Sequence, residues 1–396
     1  MSTLVQEKIA QAQAILNEHD VDAWLVFVRE TTEIPDPILP LVFGSDLVWA
    51  AALILDRQGR HTALVGSGDA HLARTAGVFE TVVGYDQDLR PHLLAALERL
   101  APRKIAINYS KFNNIADGLT HGMFLFLTED LLADTPWVER LVSADDLVTK
   151  LRGRKSPEEV RRIRTAVAAT EDLLNRLTAR LHVGMTEREI FAWLKAEMAR
   201  LGLGNAWSAD YNPGISAGPQ SPHGHAGPSD LAIEPGHILR LDFGVKVEGY
   251  CADLQRNWYF LRPGEHAAPP EIQRAFDAVL LAVERSAAAL RPGVLGWQVD
   301  QVARDTLAEH GYPEYMHALG HQVGRMAHDG GASLGPRWPR YGDRPFVPVE
   351  KDGVFTIEPG TATPAGTVQI EENVIVTADG CEFLSSLQRE LILIKS

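Results

Sequence analysis

The chain has 396 residues, a formal net charge of −14 at pH 7, 45% hydrophobic and 23% charged residues. That length carries about two domains of ordinary size, and the acidic balance opposes phosphate backbones and anionic lipid, which argues against nucleic acid or a membrane surface as partner. The longest uncharged apolar run, Leu47 to Leu55, falls far short of the roughly 20 residues that cross a bilayer.

Met1 to Asp20 reads as an amphipathic helix carrying Glu7, Lys8 and Glu18. It lacks the basic start and small-residue cleavage site of a signal peptide, so the cytoplasm is the expected compartment. From Ala23 to Val65, and again from Ile105 to Asn108, apolar runs such as AWLVFV and AALIL alternate with helical patterns such as His92 to Leu100. That alternation predicts an α/β domain. Around Ser143 to Lys155 the pattern turns polar and basic. Ser156, Pro157 and Glu159 then supply an N-cap, a first-turn proline and a capping-box carboxylate, so domains of residues 1–150 and 151–396 are expected. Cys251 and Cys381 have no paired spacing, which points to reduced thiols rather than a disulfide or a thiolate metal site.

Within the second domain, Leu181 to Leu203 recurs 109 residues later as Leu290 to Tyr312, with Gly184, Ile190 and Gly202 matched by Gly293, Val299 and Gly311. Each copy reads as a helix end, a turn and a new helix closed by glycine. A pseudo-symmetric domain with helices outside and strands inside follows.

Between the two copies, His237 to Phe243 and Tyr250 to Phe260 read as a β-hairpin turning at Glu248 and Gly249. Asp242 and Asp253 then project from one face as opposite or diagonal neighbours. They are either solvated strand aspartates or a repelling pair that needs a cation. His317, His321 and His328 follow in MHALGHQVGRMAHDG, where Gly320 and Gly324 favour a bent loop or strand over a helix. A polar core cluster would account for them as well. Glu358 ends an apolar strand stopped by Pro359 and Gly360, and Glu371 sits in the strand-like VQIEENVIV. Each is an edge carboxylate, or a buried one that requires a partner.

The patches HAGPSD, LDFG, CAD, GHQVG, HD, TIEPG and IEENVIVT together resemble the proline-specific branch of the pita-bread metallopeptidases, which includes prolidase (Xaa-Pro dipeptidase), aminopeptidase P and the metal-free creatinases. The resemblance runs from about Arg152 to the end, with a looser N-terminal match through WLVFVRE and FGSDLVWAALIL. It implies an α/β (α+β) fold: a small α/β N-terminal domain, then a pseudo-symmetric pita-bread catalytic domain with a curved antiparallel sheet and outer helices. It also implies metal ligands at Asp242, Asp253, His321, Glu358 and Glu371, with Glu358 also taking a proton from the attacking water. The family's three other histidines correspond to His225, His317 and His328, with His223 as rival to the first. In these roles His225 would stabilise the oxyanion, His317 line the proline side, and His328 pass a proton to the leaving nitrogen. Ala362 and Gln369 depart from the pattern, standing where a Tyr and an Arg are usual.

Four carboxylates and one imidazole suit two divalent ions, manganese first with cobalt or zinc as alternatives. The expected substrate is a peptide with proline in second position, most simply a dipeptide, and a homodimer is implied. GPRWPRYGDR places Arg337, Arg340 and Arg344 in one loop, as candidate anchors for a dipeptide carboxylate or as a solvated basic loop. A metal-independent creatinase-like hydrolase, an aminopeptidase acting on longer peptides and a non-catalytic binding module are the competing readings.

Overall fold

AWLVFV becomes β1 (Ala23–Val28), and its side chains divide cleanly between two cores. Trp24, Val26 and Val28 join one apolar cluster and Ala23, Leu25 and Phe27 the other. A strand covered on both faces has no polar positions to alternate with, which is why the run is continuously apolar. The computed structural model describes residues 3–221 and 226–395, and the chain divides into two units, Met1–Arg152 and Gly153–Ser396. In the first, β1 joins β2 (Ala51–Asp56), β3 (Thr62–Gly66), β4 (Thr81–Tyr85), β5 (Ile105–Ile107) and β6 (Leu141–Ser143) in a mixed sheet of order β4-β3-β2-β1-β5-β6. The helix Thr3–Glu18 lays Val5, Ile9, Ala12 and Leu16 on one face, and the helix Arg90–Leu100 lays Leu93 and Leu97 on the other.

Two details differ from expectation. Lys8, read as one of the charges of an amphipathic first helix, is fully buried and donates to the Leu151 carbonyl. The polar stretch 143–155 is largely the helix Asp145–Gly153, with its acidic residues in the first turn and basic ones in the last. That charge order suits the helix dipole. The Ser156 cap is as expected: its hydroxyl accepts from Glu159 N–H, and the Glu159 carboxylate accepts from Ser156 N–H.

The second unit carries the repeat in its backbone. Helices Pro157–Thr178 and Glu187–Leu201 in one half correspond to Pro270–Ala289 and Gly296–Glu309 in the other. Gly184 N–H donates to Ile233 and Gly293 N–H to Val349, while Thr186 bridges Ala232 and Leu295 bridges Pro348. The strands are β7 (Gly204–Asn205), β8 (Gly214–Ala217), β9 (Ile238–Phe243), β10 (Val245–Val247), β11 (Tyr250–Cys251), β12 (Leu254–Phe260), β13 (Val354–Ile357), β14 (Gly360–Thr363), β15 (Gly366–Gln369), β16 (Glu372–Val376), β17 (Cys381–Phe383) and β18 (Ile392–Ile394). They make a β18-β12-β9-β8 sheet, a β13-β16-β17 sheet, the β14-β15 hairpin and a short β11-β10-β7 sheet. Ile272, Phe276, Val279 and Val283 of the third long helix pack with Val299, Ala303 and Leu307 of the fourth onto Ile357, Val368 and Val374. Among the described residues no helix is long and apolar enough to cross a membrane. Cys251 and Cys381 are both free thiols.

The hairpin register decides where the site can form. Val247 faces Tyr250 across the two-residue turn, and the same register sets Asp242 opposite Gln255. Asp253 is therefore the diagonal neighbour of Asp242. Between β9 and β10 the chain passes so close to its partner that a Cβ on Gly244 would lie 1.9 Å from the Ala252 carbonyl oxygen. Only glycine fits there without moving the strand that carries Asp253. Gly244→Ala is expected to destabilise the fold by about 1–3 kcal/mol, read as a lower urea midpoint. An unchanged midpoint would mean the hairpin can shift freely.

Candidate metal centre and cavity

Asp242 lies on β9, Asp253 just before β12, Glu358 one residue past β13, Glu371 between β15 and β16, and His321 on the loop that precedes β13. All five line one cavity of about 540 Å³. Glu371 was expected inside a strand. Instead it leaves the β14-β15 hairpin and makes an isolated antiparallel bridge to Gln255. That crossing from one sheet to another carries the carboxylate toward Asp253. Asn373 fixes the other side, with its amide accepting from Asp253 N–H and donating to Asp253 C=O.

The His321 loop is pinned to β13. Thr356 N–H donates to His321 C=O, Glu358 N–H to Leu319 C=O, and His321 N–H to Thr356 Oγ1. A Cβ on Gly320 would meet the Thr356 carbonyl oxygen at 2.0 Å, so the two segments lie flush only with glycine at this position. The loop's far end is held by a buried ion pair between Lys155 Nζ and Asp329 Oδ2 at 3.0 Å, next to His328. His321 Nδ1 faces the Ala327 carbonyl at 3.1 Å. A carbonyl only accepts, so Nδ1 carries a proton, and once Nε2 is deprotonated its lone pair is the one open to a metal. That Nε2 lies 3.3 Å from Glu358 Oε1 and 3.8 Å from Asp253 Oδ2.

One ligand atom each from Asp253, His321 and Glu371 lie within 4.8 Å of one another. Glu371 is buried. Its Oε2 accepts from Gln255 Nε2 at 2.7 Å, whereas its Oε1 has no hydrogen-bond partner. A buried carboxylate oxygen without a donor is unfavourable, and beside an imidazole lone pair and a second carboxylate it is the donor set of a divalent cation. The residues present fit such an ion.

The electrostatics describe the same need. Burial, then the charges of Asp253, Glu358 and Asp242, push the Glu371 carboxyl well above its usual range. Burial and the Asp242 charge do the same to Asp253. Asp242 is pushed up to about 6, mainly by burial, with the Arg240 charge opposing. Glu358 goes the other way: burial would raise it, but the His321 bond and the charges of the surrounding histidines hold it low. Burial would lower His321, yet its bond to Glu358 and the carboxylate charges raise it to about 9. Without a metal, Asp242, Asp253, Glu371 and His321 are shifted toward their protonated forms.

Of the other expected residues, His328 lines the cavity and its ring stands edge-on to His321 at 4.1 Å. His317 does not line it; its Nδ1 pairs with the Ala318 carbonyl, and its Nε2 lies 3.5 Å from Gln369 Nε2. His225 and His223 lie outside the described residues. Arg337 stacks over Trp297, Arg340 bonds the Met316 carbonyl and stacks on Trp338 and Tyr341, and neither these nor Arg344 line the cavity. Ala362 is exposed on β14.

The cavity also has walls that the sequence reading missed. Trp207 and Tyr211 supply an aromatic side, and Lys246 is the one Lys or Arg among the described lining residues. Trp207, Tyr211 and Lys246 carry no local pattern that marks them. Arg240 did carry a signal, a positive charge in the otherwise apolar run ILRLDF two residues before Asp242.

Known proteins share this architecture and part of this sequence. Over 259 residues, 64% of this chain and 69% of that protein, the chain is 30% identical to an Xaa-Pro dipeptidase of Pyrococcus furiosus. The crystal structure of an X-Pro aminopeptidase from Thermotoga maritima matches 98% of this chain and 99% of that one, with a TM-score of 0.71 and 26% identity. An Xaa-Pro dipeptidase from Bacillus anthracis matches 98% and 100%, with a TM-score of 0.75 and 22% identity, a likeness of fold alone. The mixed α/β fold, with its antiparallel sheets and outer helix pairs, is the pita-bread fold expected from the sequence. The model of metallopeptidase family M24 matches residues 161–378. That match covers more than half of the chain, which is therefore a member of metallopeptidase family M24.

Proposed function

We propose that this protein hydrolyses the Xaa-Pro bond of dipeptides with two divalent ions held by Asp242, Asp253, His321, Glu358 and Glu371. The observation that carries this reading is the unpartnered, buried Oε1 of Glu371 beside Asp253 and His321. Relatives that are Xaa-Pro dipeptidases support the substrate class. Four carboxylates offset the charge of two divalent ions, and the oxygen-rich set favours manganese, with cobalt or zinc as alternatives. When bound, such ions polarise the scissile carbonyl and supply a hydroxide-like nucleophile near neutral pH.

The chain's own groups do the rest. Glu358, held ionised, is the base for the attacking water's proton, and His328 on the cavity wall gives a proton to the prolyl nitrogen, a poor leaving group without it. His225 is assigned to the oxyanion and His317 to the proline side. Trp207 and Tyr211 offer an apolar wall to the substrate side chains, and Lys246 offers a cation to the free carboxylate of a dipeptide. The cytoplasm and a homodimer belong to the same reading; light scattering reads the latter.

Asp253→Ala and Glu371→Ala are expected to lose both bound metal, by elemental analysis, and Xaa-Pro hydrolysis. Full metal content with undiminished rate in either would remove that residue from the ligand set. For His328→Ala the expectation is retained metal and a kcat lowered ~10²-fold or more, and near-wild-type turnover counts against the proton-donor role.

Lys246→Met should raise KM for a free Xaa-Pro dipeptide about 10-fold or more, the scale of a charge-assisted hydrogen bond, and leave the C-terminal amide unaffected. Arg337→Ala, Arg340→Ala and Arg344→Ala, measured alongside, decide between this cation and the arginine loop. If none of the four discriminates and tripeptides are preferred, the dipeptidase reading gives way to an aminopeptidase.

In the metal-free fold Asp242, Asp253, Glu371 and His321 release their protons at higher pH than in the unfolded chain, where the carboxyls titrate at about pH 4 and the imidazole at about 6.5. The folded state thus binds more protons, and metal-free stability falls as pH rises from about 5 to 8. Glu358, held low, acts in the opposite sense, with its stabilisation lost only as pH falls below about 4.5. Divalent ions replace the protons. The rise in Tm on adding Mn²⁺ is expected to be larger at pH 8 than at pH 5.5; an equal rise at both would place the ion away from these groups.

A further inference from the structure

β9 carries a charge that its apolar surroundings do not explain. Arg240 stands two residues before Asp242, on the same side of the strand, and is only 8% exposed. Among the described residues its hydrogen-bond partners are two neutral amides: Nη1 donates to Gln255 Oε1 at 2.9 Å and to Gln369 Oε1 at 2.9 Å. Its Nε is buried without a partner. A guanidinium whose hydrogen-bond partners are neutral is unfavourable by itself, so beyond the attraction of its charge for Asp242 its effect is to be sought in what the two amides do next.

Arginine is a donor only. Both glutamines must therefore turn their oxygens toward it, which turns their NH₂ groups away and toward the metal site. Gln255 Nε2 donates to Glu371 Oε2 at 2.7 Å. Gln369 Nε2 donates to the Glu358 carbonyl at 3.1 Å and reaches Glu358 Oε2 at 3.5 Å. Reversing either amide would aim a carbonyl oxygen at a carboxylate that is already crowded with negative charge. One guanidinium thus fixes the polarity of two amides that end on two different ligands. The position expected to hold an arginine, 369, holds one of those amides instead, and the cation reaches it from β9, a strand of another sheet.

We propose that Arg240 is a positioning residue of the metal centre, which by orienting Gln255 and Gln369 holds Glu371 and Glu358 where they receive the ions. This rests on the metallopeptidase reading above. The arginine touches neither the substrate nor the reacting atoms, and its effect lies in ligand geometry and in metal affinity.

The test uses the full chain, stripped of metal, with Mn²⁺ binding followed by isothermal titration calorimetry and ligand geometry by the visible absorption of Co²⁺. Arg240→Met is expected to weaken Mn²⁺ binding 10–100-fold, the range for loss of a group supporting a ligand, and to change the Co²⁺ spectrum. Arg240→Lys, which keeps the charge and one donor direction, recovers part of both. Because the arginine acts through the glutamines, Arg240→Met with Gln255→Met should lose less than the two single losses combined; full additivity overturns the proposal. Should Arg240→Met fail to fold by circular dichroism, Gln255→Met and Gln369→Met carry the test, and wild-type Mn²⁺ affinity in both rejects it. A wild-type chain that takes up no Mn²⁺ sinks the metallopeptidase reading and this inference together. A wild-type chain that binds Mn²⁺, with an Arg240→Met variant that binds it equally well and shows the same Co²⁺ spectrum, sinks this inference alone.

Discussion

Four carboxylates, those of Asp242, Asp253, Glu358 and Glu371, face one cavity in the interior of the second unit, and their mutual repulsion is the constraint the surrounding structure has to meet. In water such a cluster would simply spread apart. Here each side chain is tied to a different strand or strand end, so the charge can be relieved only by protons, by cations or by local donors. The raised carboxyls and the raised His321 describe the proton solution. The donor set of Asp253, His321 and Glu371 describes the cation solution.

The scaffold meets that strain with backbone rather than with bulk. Asn373 clasps the peptide of Asp253, the Gln255–Glu371 bridge joins strands of different sheets, and the 319–321 segment is sewn to β13 by three hydrogen bonds. The close approaches at Gly244 and Gly320 leave no room for side chains between these segments. Around them, aliphatic side chains from the two long helices of the second half form a core against the same strands. Ligand positions are thereby set by main-chain register, which is stiffer than any single side-chain contact.

The cavity carboxylates stood out in the sequence because charge in an apolar run is conspicuous, while their assignment as metal ligands rested on the family resemblance. Asp242 in ILRLDF, Glu358 in VFTIEPG and the paired spacing of Asp242 and Asp253 across a two-residue turn all follow from strand periodicity. The capping box at Ser156 and the helix-turn-helix repeat were equally local, and both appear in the structure. What stayed hidden was long-range. Glu371 lies between strands because it pairs with Gln255, 116 residues away in the chain; Lys8 is buried because a distant carbonyl, Leu151, receives it. Lys246, Trp207 and Tyr211 reach the cavity through folding of the 204–247 segment, which no short pattern encodes. The arginines of 337–344 were conspicuous by their crowding in one loop, yet Arg337 and Arg340 stack on half-buried aromatic rings and none of the three lines the cavity.

The duplicated helix-turn-helix gives the second unit two halves of like plan but unlike endowment. Asp242 and Asp253 belong to the first, and His321, Glu358 and Glu371 to the second. Neither half carries all five of these groups, so the likeness of plan lies in the skeleton while the cavity's chemistry is divided between the halves. A cation held by residues of both halves would tether them across their seam, and its affinity would then report how firmly the halves are docked.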